Sequence, residues 1–394
     1  MKRKSEKQEE KSVKAEIDQV IEKIKKDEIK TKEKTERVKK SLPKKLFLAI
    51  DKMYDKSQNK SILKKLAKKH LFNVEKDIVY SEAKPDVCKL DIYYEGSLTK
   101  KRPIFLYIHG GGFVAGGRFY RRGIAEWIAA QGYLVVTISY SLAPERRHFE
   151  AIKDLSEIAK WINNNAEKYN YDLDRLVIGG DSAGGYYSTM LACMATNKEL
   201  EAKTGLPVDL KIKGLALICG IYDLELALSK KMAFDMANKL MKDYIGYSVA
   251  DMNKYKHADI LSPINFITDK FPMSFISYAK KDFFCGGQGE NISAKLKNLG
   301  VKVVNTNSTL FKDNHCYSLM WKGKATKIHN ALLTDYLRSI KEDVTKPSVE
   351  KVEPVAKVEE VVKEEPIKEE KPKATPTPKT KKTTKPAEET AKVE

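Results

Sequence analysis

Cysteine is scarce and unpaired in this chain of 394 residues: Cys88, Cys193, Cys219, Cys285 and Cys316 are an odd number with no C-x-x-C spacing. That argues against a disulfide framework and against the common zinc-site patterns, and it suits a reducing compartment. Long apolar runs are lacking as well, since no window reaches the roughly eighteen apolar residues of a membrane span. Residues 5–14 hold no apolar stretch of the kind a secretory leader needs. Together these absences predict a cytoplasmic protein. Two further motifs are missing. The glycines between Gly110 and Gly117 lack the Gly-Lys-Ser/Thr ending of a phosphate loop, and no dinucleotide fingerprint follows a strand. No organic cofactor and no metal are expected.

Acidic charge is in deficit, with 73 Lys and Arg against 54 Asp and Glu and a formal net charge of +19. The excess is mainly N-terminal, because residues 1–75 hold 24 basic and 13 acidic side chains whereas residues 343–394 balance 12 against 12. Clustered ammonium groups gain from neutralising phosphate. A weak contact with an anionic membrane surface through the basic N-terminal region is therefore open beside the plainer reading of a solvated, Lys-rich face. Nucleic acid is not expected, since neither an Arg cluster nor interleaved aromatics mark a groove for it.

The chain divides by composition. Residues 1–40 read as a charged arm, with Val13, Ile17, Val20 and Ile24 on one face of a short helix. Residues 41–342 read as the folded domain, and residues 343–394, built from Lys, Glu, Val, Pro and Thr, cannot bury a core and read as a disordered tail. Within the domain, residues 41–72 predict two short amphipathic helices. Short apolar runs at 104–108, 133–138, 176–178, 212–219 and 273–278 then alternate with helical patterns such as 151–163 and 182–194. Such alternation predicts an α/β fold, a mostly parallel sheet flanked by helices.

Two motifs carry chemistry. Gly180-Asp181-Ser182-Ala183-Gly184 is a G-x-S-x-G placed between a strand and a helix, the setting in which a sharp, strained turn pushes a serine hydroxyl out of the sheet. The following helix N-terminus aims free amides at the same point. His109-Gly110-Gly111-Gly112 follows the 104–108 strand. Acyl transfer places negative charge on the former carbonyl oxygen, and amides fixed there lower the barrier strongly. Gly111 and Gly112 are candidates for two such donors and Ala183 for the third, with His109 organising the loop.

These two motifs, with Ser139-Tyr140-Ser141-Leu142-Ala143-Pro144-Glu145 between them, resemble the hormone-sensitive-lipase-like family of α/β-hydrolases, over roughly residues 45–342. The resemblance implies the α/β-hydrolase fold and a carboxylesterase or lipase that needs no metal or organic cofactor. The family commonly has D-Y-R-L-A-P-E at the middle motif, so Ser139 and Ser141 here replace an acid and an arginine, a change expected to alter local salt bridges.

A serine needs a base and an orienting acid, which this fold supplies in the chain order Ser, acid, His. Asp282, after the 273–278 strand, is the candidate acid and His315 the candidate base. Glu290 and Asp313 are rival acids. His329 is the rival base, expected on the surface of a helix. Residues 41–75 and 222–261 are expected to form a cap, with Met232, Phe234, Met236, Leu240, Met241 and Tyr244 either lining an acyl pocket or only packing the cap down. The expected activity is hydrolysis of a small-molecule carboxylic ester. An amidase, formamidase or peptidase on the same site and a non-catalytic binding protein on this scaffold are the alternatives.

Overall fold

The computed structural model describes residues 41–229 and 235–342. The N-terminal arm, the tail, and Met232 and Phe234 of the expected cap lie outside the described residues.

Helix α1 (Leu42–Gln58) starts where the Ser41 hydroxyl accepts from the Lys44 amide at 3.1 Å, with Pro43 in the first turn. Its buried face is Pro43, Phe47, Asp51, Tyr54 and Gln58, spaced at helical intervals. The helix runs on through a π turn (Asn59–Leu63) into Lys64–Leu66. Two separate helices were expected over 41–72; with no glycine or proline between Lys44 and Leu66 to stop it, the helix continues as one run.

Eight strands follow: β1 (Phe72–Val79), β2 (Lys89–Glu95), β3 (Arg102–Ile108), β4 (Leu134–Ile138), β5 (Tyr171–Asp181), β6 (Ile212–Ile218), β7 (Met273–Ala279) and β8 (Val303–Ser308). They form one sheet in the order β1-β2-β4-β3-β5-β6-β7-β8. The pairs β1/β2 and β2/β4 are antiparallel and the rest parallel. The first two strands are hard to read in the sequence, because Asp77 at φ 60° and a register shift between Glu75 and Ile78 break the alternation of β1.

The principal helices between and after the strands are α2 (Arg122–Ala129), α3 (His148–Asn164), α4 (Ala183–Thr196), α5 (Gln288–Asn298) and α6 (Lys324–Lys341). Successive residues of a strand point to opposite faces. Accordingly Ile104, Leu106 and Ile108 of β3 share a core with α3, α4 and α5, while Phe105 and Tyr107 pack with α2 and α6. This is the α/β-hydrolase arrangement, and it brings the ends of β3, β5, β6, β7 and β8 to one edge. No described helix is long and apolar enough to cross a membrane.

The tightest packing lies where α4 leaves β5. A Cβ on Gly184 would stand 2.0 Å from the Ile108 carbonyl oxygen, and one on Gly180 would stand 2.3 Å from that same atom. Both are backbone contacts that cannot rotate away. Gly184→Ala should therefore lower the stability of the domain by about 3 kcal/mol. A urea midpoint unchanged from wild type would show that the turn has slack here.

Candidate active site

Ser182 occupies the turn between β5 and α4 with φ 53° and ψ −120°, a conformation that a non-glycine residue holds only under constraint. Its amide donates to the Ile218 carbonyl at 2.9 Å, which ties the turn to the end of β6. The side chain is buried but opens into a small cavity lined by Phe47, Ile50, Asp51, Tyr54, Gly111, Arg121, Asp181 and His315.

His315 lies in the loop after β8. Its Nδ1 stands 2.8 Å from Oδ2 and 3.1 Å from Oδ1 of Asp282, in the loop after β7. Glu290 and Asp313 do not reach it: Asp313 accepts from the Ser308 hydroxyl at 2.7 Å. Burial pushes the Asp282 carboxyl up, but the His315 charge and hydrogen bond, with the amides of Phe284 and Cys285, outweigh it and hold the group below its usual value. The imidazole thus faces an ionised acid on one side and shares the Ser182 cavity on the other. No hydrogen bond joins the Ser182 hydroxyl to the ring among the described residues; such contacts commonly close only around a bound substrate.

The glycine loop lies beside them. Gly111 lines the cavity, Gly112 has φ 59°, and Ala183 opens α4. None of these three amides donates a hydrogen bond among the described residues. A Cβ on Gly112 would meet the Phe47 ring at 2.2 Å, so α1 packs directly on bare backbone here. His109 is buried and organises the loop: its Nδ1 lies 2.7 Å from the Gly110 carbonyl, its ring stacks on Tyr140, and burial holds its pKa down to about 4. His329 is not on the surface as expected. It is fully buried, with Nδ1 2.8 Å from the Ser277 hydroxyl, and burial lowers it to about 3.

Sequence reasoning missed a set of charges beneath Ser182. Arg121 grips Asp181 with two hydrogen bonds of 2.8 Å, and Asp181 also accepts from Tyr107 at 2.9 Å and from the Gly110 amide at 3.2 Å. Burial alone would raise Asp181, but the Arg121 charge prevails and keeps it below the usual carboxylate value. On its other side Arg121 Nη1 lies 2.9 Å from Asp51 of α1, without the alignment of a hydrogen bond. Burial therefore dominates at Asp51, against Arg121 and reinforced by Asp181, and lifts it to about 6. One signal was available. Asp51 sits four residues after Phe47 and three before Tyr54, on the apolar face of an amphipathic helix.

The expected cap is also redistributed. Residues lining the cavity come from α1, with Tyr54 donating to the His315 carbonyl at 3.0 Å and Ser57 to that of Met320 at 2.8 Å. Tyr244 of the 222–261 segment instead stacks on Phe113 at 4.1 Å, and Met236 and Met241 are buried. Their apolar face packs the segment down. Ser139 and Ser141, where the family commonly has an acid and an arginine, accept from Arg118 and Lys84 at 3.0 and 3.3 Å.

The family model described as BD-FAE matches residues 90–296. The chain belongs to the BD-FAE family. Esterase LipC of Mycobacterium tuberculosis is 25% identical to this BD-FAE family member over 198 residues, 49% of this chain and 48% of LipC. Carboxylesterase NlhH of the same organism is 33% identical over 106 residues, 26% of this chain and 33% of NlhH. The family member thus spans about half or less of these two relatives. Among solved structures, Esterase B from Lactobacillus Rhamnosis superposes with a TM-score of 0.60 at 20% identity, covering 71% of this chain and 90% of that one. At that identity the likeness is one of fold.

The charge set makes a measurable statement about pH. The folded pKa of Asp51, about 6, lies above its usual 3.8. An acid shifted upward favours folding while protonated and loses that advantage as pH rises through the folded value. Asp51→Asn cannot ionise, so its stability relative to wild type should rise by about 2–3 kcal/mol between pH 4 and pH 7. Chemical denaturation of both proteins at each pH reads this difference, and a constant difference would mean that Asp51 is ionised throughout.

Proposed function

We propose that this chain hydrolyses small-molecule carboxylic esters through an acyl-enzyme on Ser182. The observation that carries the reading is the Asp282–His315 hydrogen bond of 2.8 Å, with His315 and Ser182 on one cavity. His315 takes the Ser182 proton as the hydroxyl oxygen attacks the ester carbonyl, and it returns that proton to the departing alcohol. Water then repeats the sequence on the acyl-enzyme and releases the acid. Asp282 fixes the ring orientation and stabilises the imidazolium. The amides of Gly111, Gly112 and Ala183 receive the oxyanion. Esterase and carboxylesterase names among the relatives and fold neighbours support the same class of bond.

The roof of Phe47, Ile50 and Tyr54 leaves little room at the serine, so short acyl groups are the preferred substrates. The odd, unpaired cysteines support a reducing compartment, and the cytoplasm is the compartment proposed. The basic N-terminal region offers a weak contact to an anionic membrane surface.

Ser182→Ala should reduce kcat on a nitrophenyl butyrate ester by at least about 10⁴-fold, and Asp282→Asn by about 10³–10⁴-fold with KM little changed. Full turnover by the Ser182→Ala protein would end the proposal. In a series of nitrophenyl esters, kcat/KM should peak at short acyl chains, and Phe47→Ala should move the peak toward longer ones. An unmoved peak would place the acyl group away from α1.

A further inference from the structure

Three of the five cysteines gather around the imidazole assigned as the base. Cys219 follows the end of β6, Cys316 follows His315 in the chain, and Cys285 lies three residues after Asp282. The sulfurs of Cys219 and Cys316 and one ring nitrogen of His315 all lie within 4.8 Å of one another. Both cysteines are buried, carry free thiols and hold positive backbone φ, 48° and 49°. The Cys316 thiol makes a long contact of 4.0 Å to the Ile218 carbonyl and also interacts with the Cys219 thiol.

We propose that Cys219, Cys316 and His315 form an inhibitory site for a thiophilic divalent cation of the zinc class. Two sulfurs and an imidazole are a ligand set that zinc takes in tetrahedral geometry, leaving one position open. With Zn–S bonds of roughly 2.3 Å and Zn–N of roughly 2.0 Å, ligand atoms in such a site stand roughly 3.5–3.8 Å apart. The three donors here need only a small closing movement. Charge favours the site too: one M²⁺ replaces two thiol protons, which leave to solvent, and the resulting pair of thiolates with a neutral imidazole is uncharged overall, as a buried position requires. A second set, Asp282, Cys285 and His315, shares the ring, but its aspartate is already committed to His315 and to the amides of Phe284 and Cys285. Metal on the ring removes the base from proton transfer, so occupancy and hydrolysis exclude each other. The inhibition rests on the role proposed above for His315; the binding does not.

Cobalt(II) tests both parts, because thiolate ligation gives it a near-ultraviolet charge-transfer band that histidine and carboxylate ligands do not. The full chain should take up one equivalent with that band, and Ser182→Ala should do the same, which measures binding without any esterase activity. Nitrophenyl butyrate turnover should fall as the band grows and return on addition of a chelator. Cys219→Ser should weaken cobalt binding and zinc inhibition by at least about 100-fold, since losing a ligand costs at least as much as losing a group behind one. Cys316→Ser should behave alike, and Cys285→Ser should bind as wild type does. If Cys219→Ser fails to fold by circular dichroism, Cys316→Ser carries the test. Absence of the thiolate band, zinc inhibition unchanged in both serine variants, loss of the band in Cys285→Ser, or a full band with undiminished turnover would each overturn the proposal. An inactive wild type that still gives the band would instead count against the esterase reading alone.

Discussion

The contact between the turn after β5 and the end of β3 is the constraint on which the rest of the site depends. Gly180 and Gly184 both press against the Ile108 carbonyl, closer than any side chain allows. That approach holds Ser182 at φ 53° with its hydroxyl clear of the sheet, and it sets α4 so that the Ala183 amide opens beside the glycine loop. Since β3 also carries His109 to Gly112 from its end, one backbone contact fixes Ser182 and the candidate oxyanion donors relative to each other. Parallel pairing of β3, β5, β6, β7 and β8 then delivers the loops of Asp282 and His315 to that same edge.

Beneath this edge the protein buries charge. Arg121 lies between Asp181 of the serine turn and Asp51 of α1, so a residue from α2's approach joins the neighbour of Ser182 to the helix that roofs the cavity. The two contacts are unequal. Asp181 has four hydrogen bonds and stays ionised, whereas Asp51 has no aligned donor among the described residues and is lifted to about 6. A buried carboxylate without aligned donors is costly. The roof over the serine is therefore held by apolar packing of Phe47 on Gly112 and by Tyr54 on the His315 carbonyl, with Asp51 working against it above about pH 6.

The gathering of thiols around one imidazole has a related origin. Residues at the ends of adjacent parallel strands converge at the sheet edge, and β6 and the loop after β8 each bring a cysteine there. Nothing in their spacing, nearly a hundred residues apart, reveals the meeting. Family membership and the fold account for the edge, and this chain's own side chains decide what it holds.

By itself the sequence determined the fold class and located the serine turn, the glycine loop and a candidate acid and base, because each rests on local chemistry: strand and helix periods, glycine where side chains clash, and a motif read along the chain. It also placed Asp282 ahead of Glu290 and Asp313, and Asp282 is the carboxylate hydrogen-bonded to His315. Tertiary structure alone decided the rest. His329 lies in a polar-looking helical pattern yet is buried, because α6 packs that face on Phe275 of β7. The 222–261 segment packs down on Phe113 while α1 roofs the cavity, and Asp51 meets Arg121 and Asp181 across 70 and 130 positions of chain. Such meetings depend on which helix face lands on which strand end, and a one-dimensional pattern carries the face but not the partner.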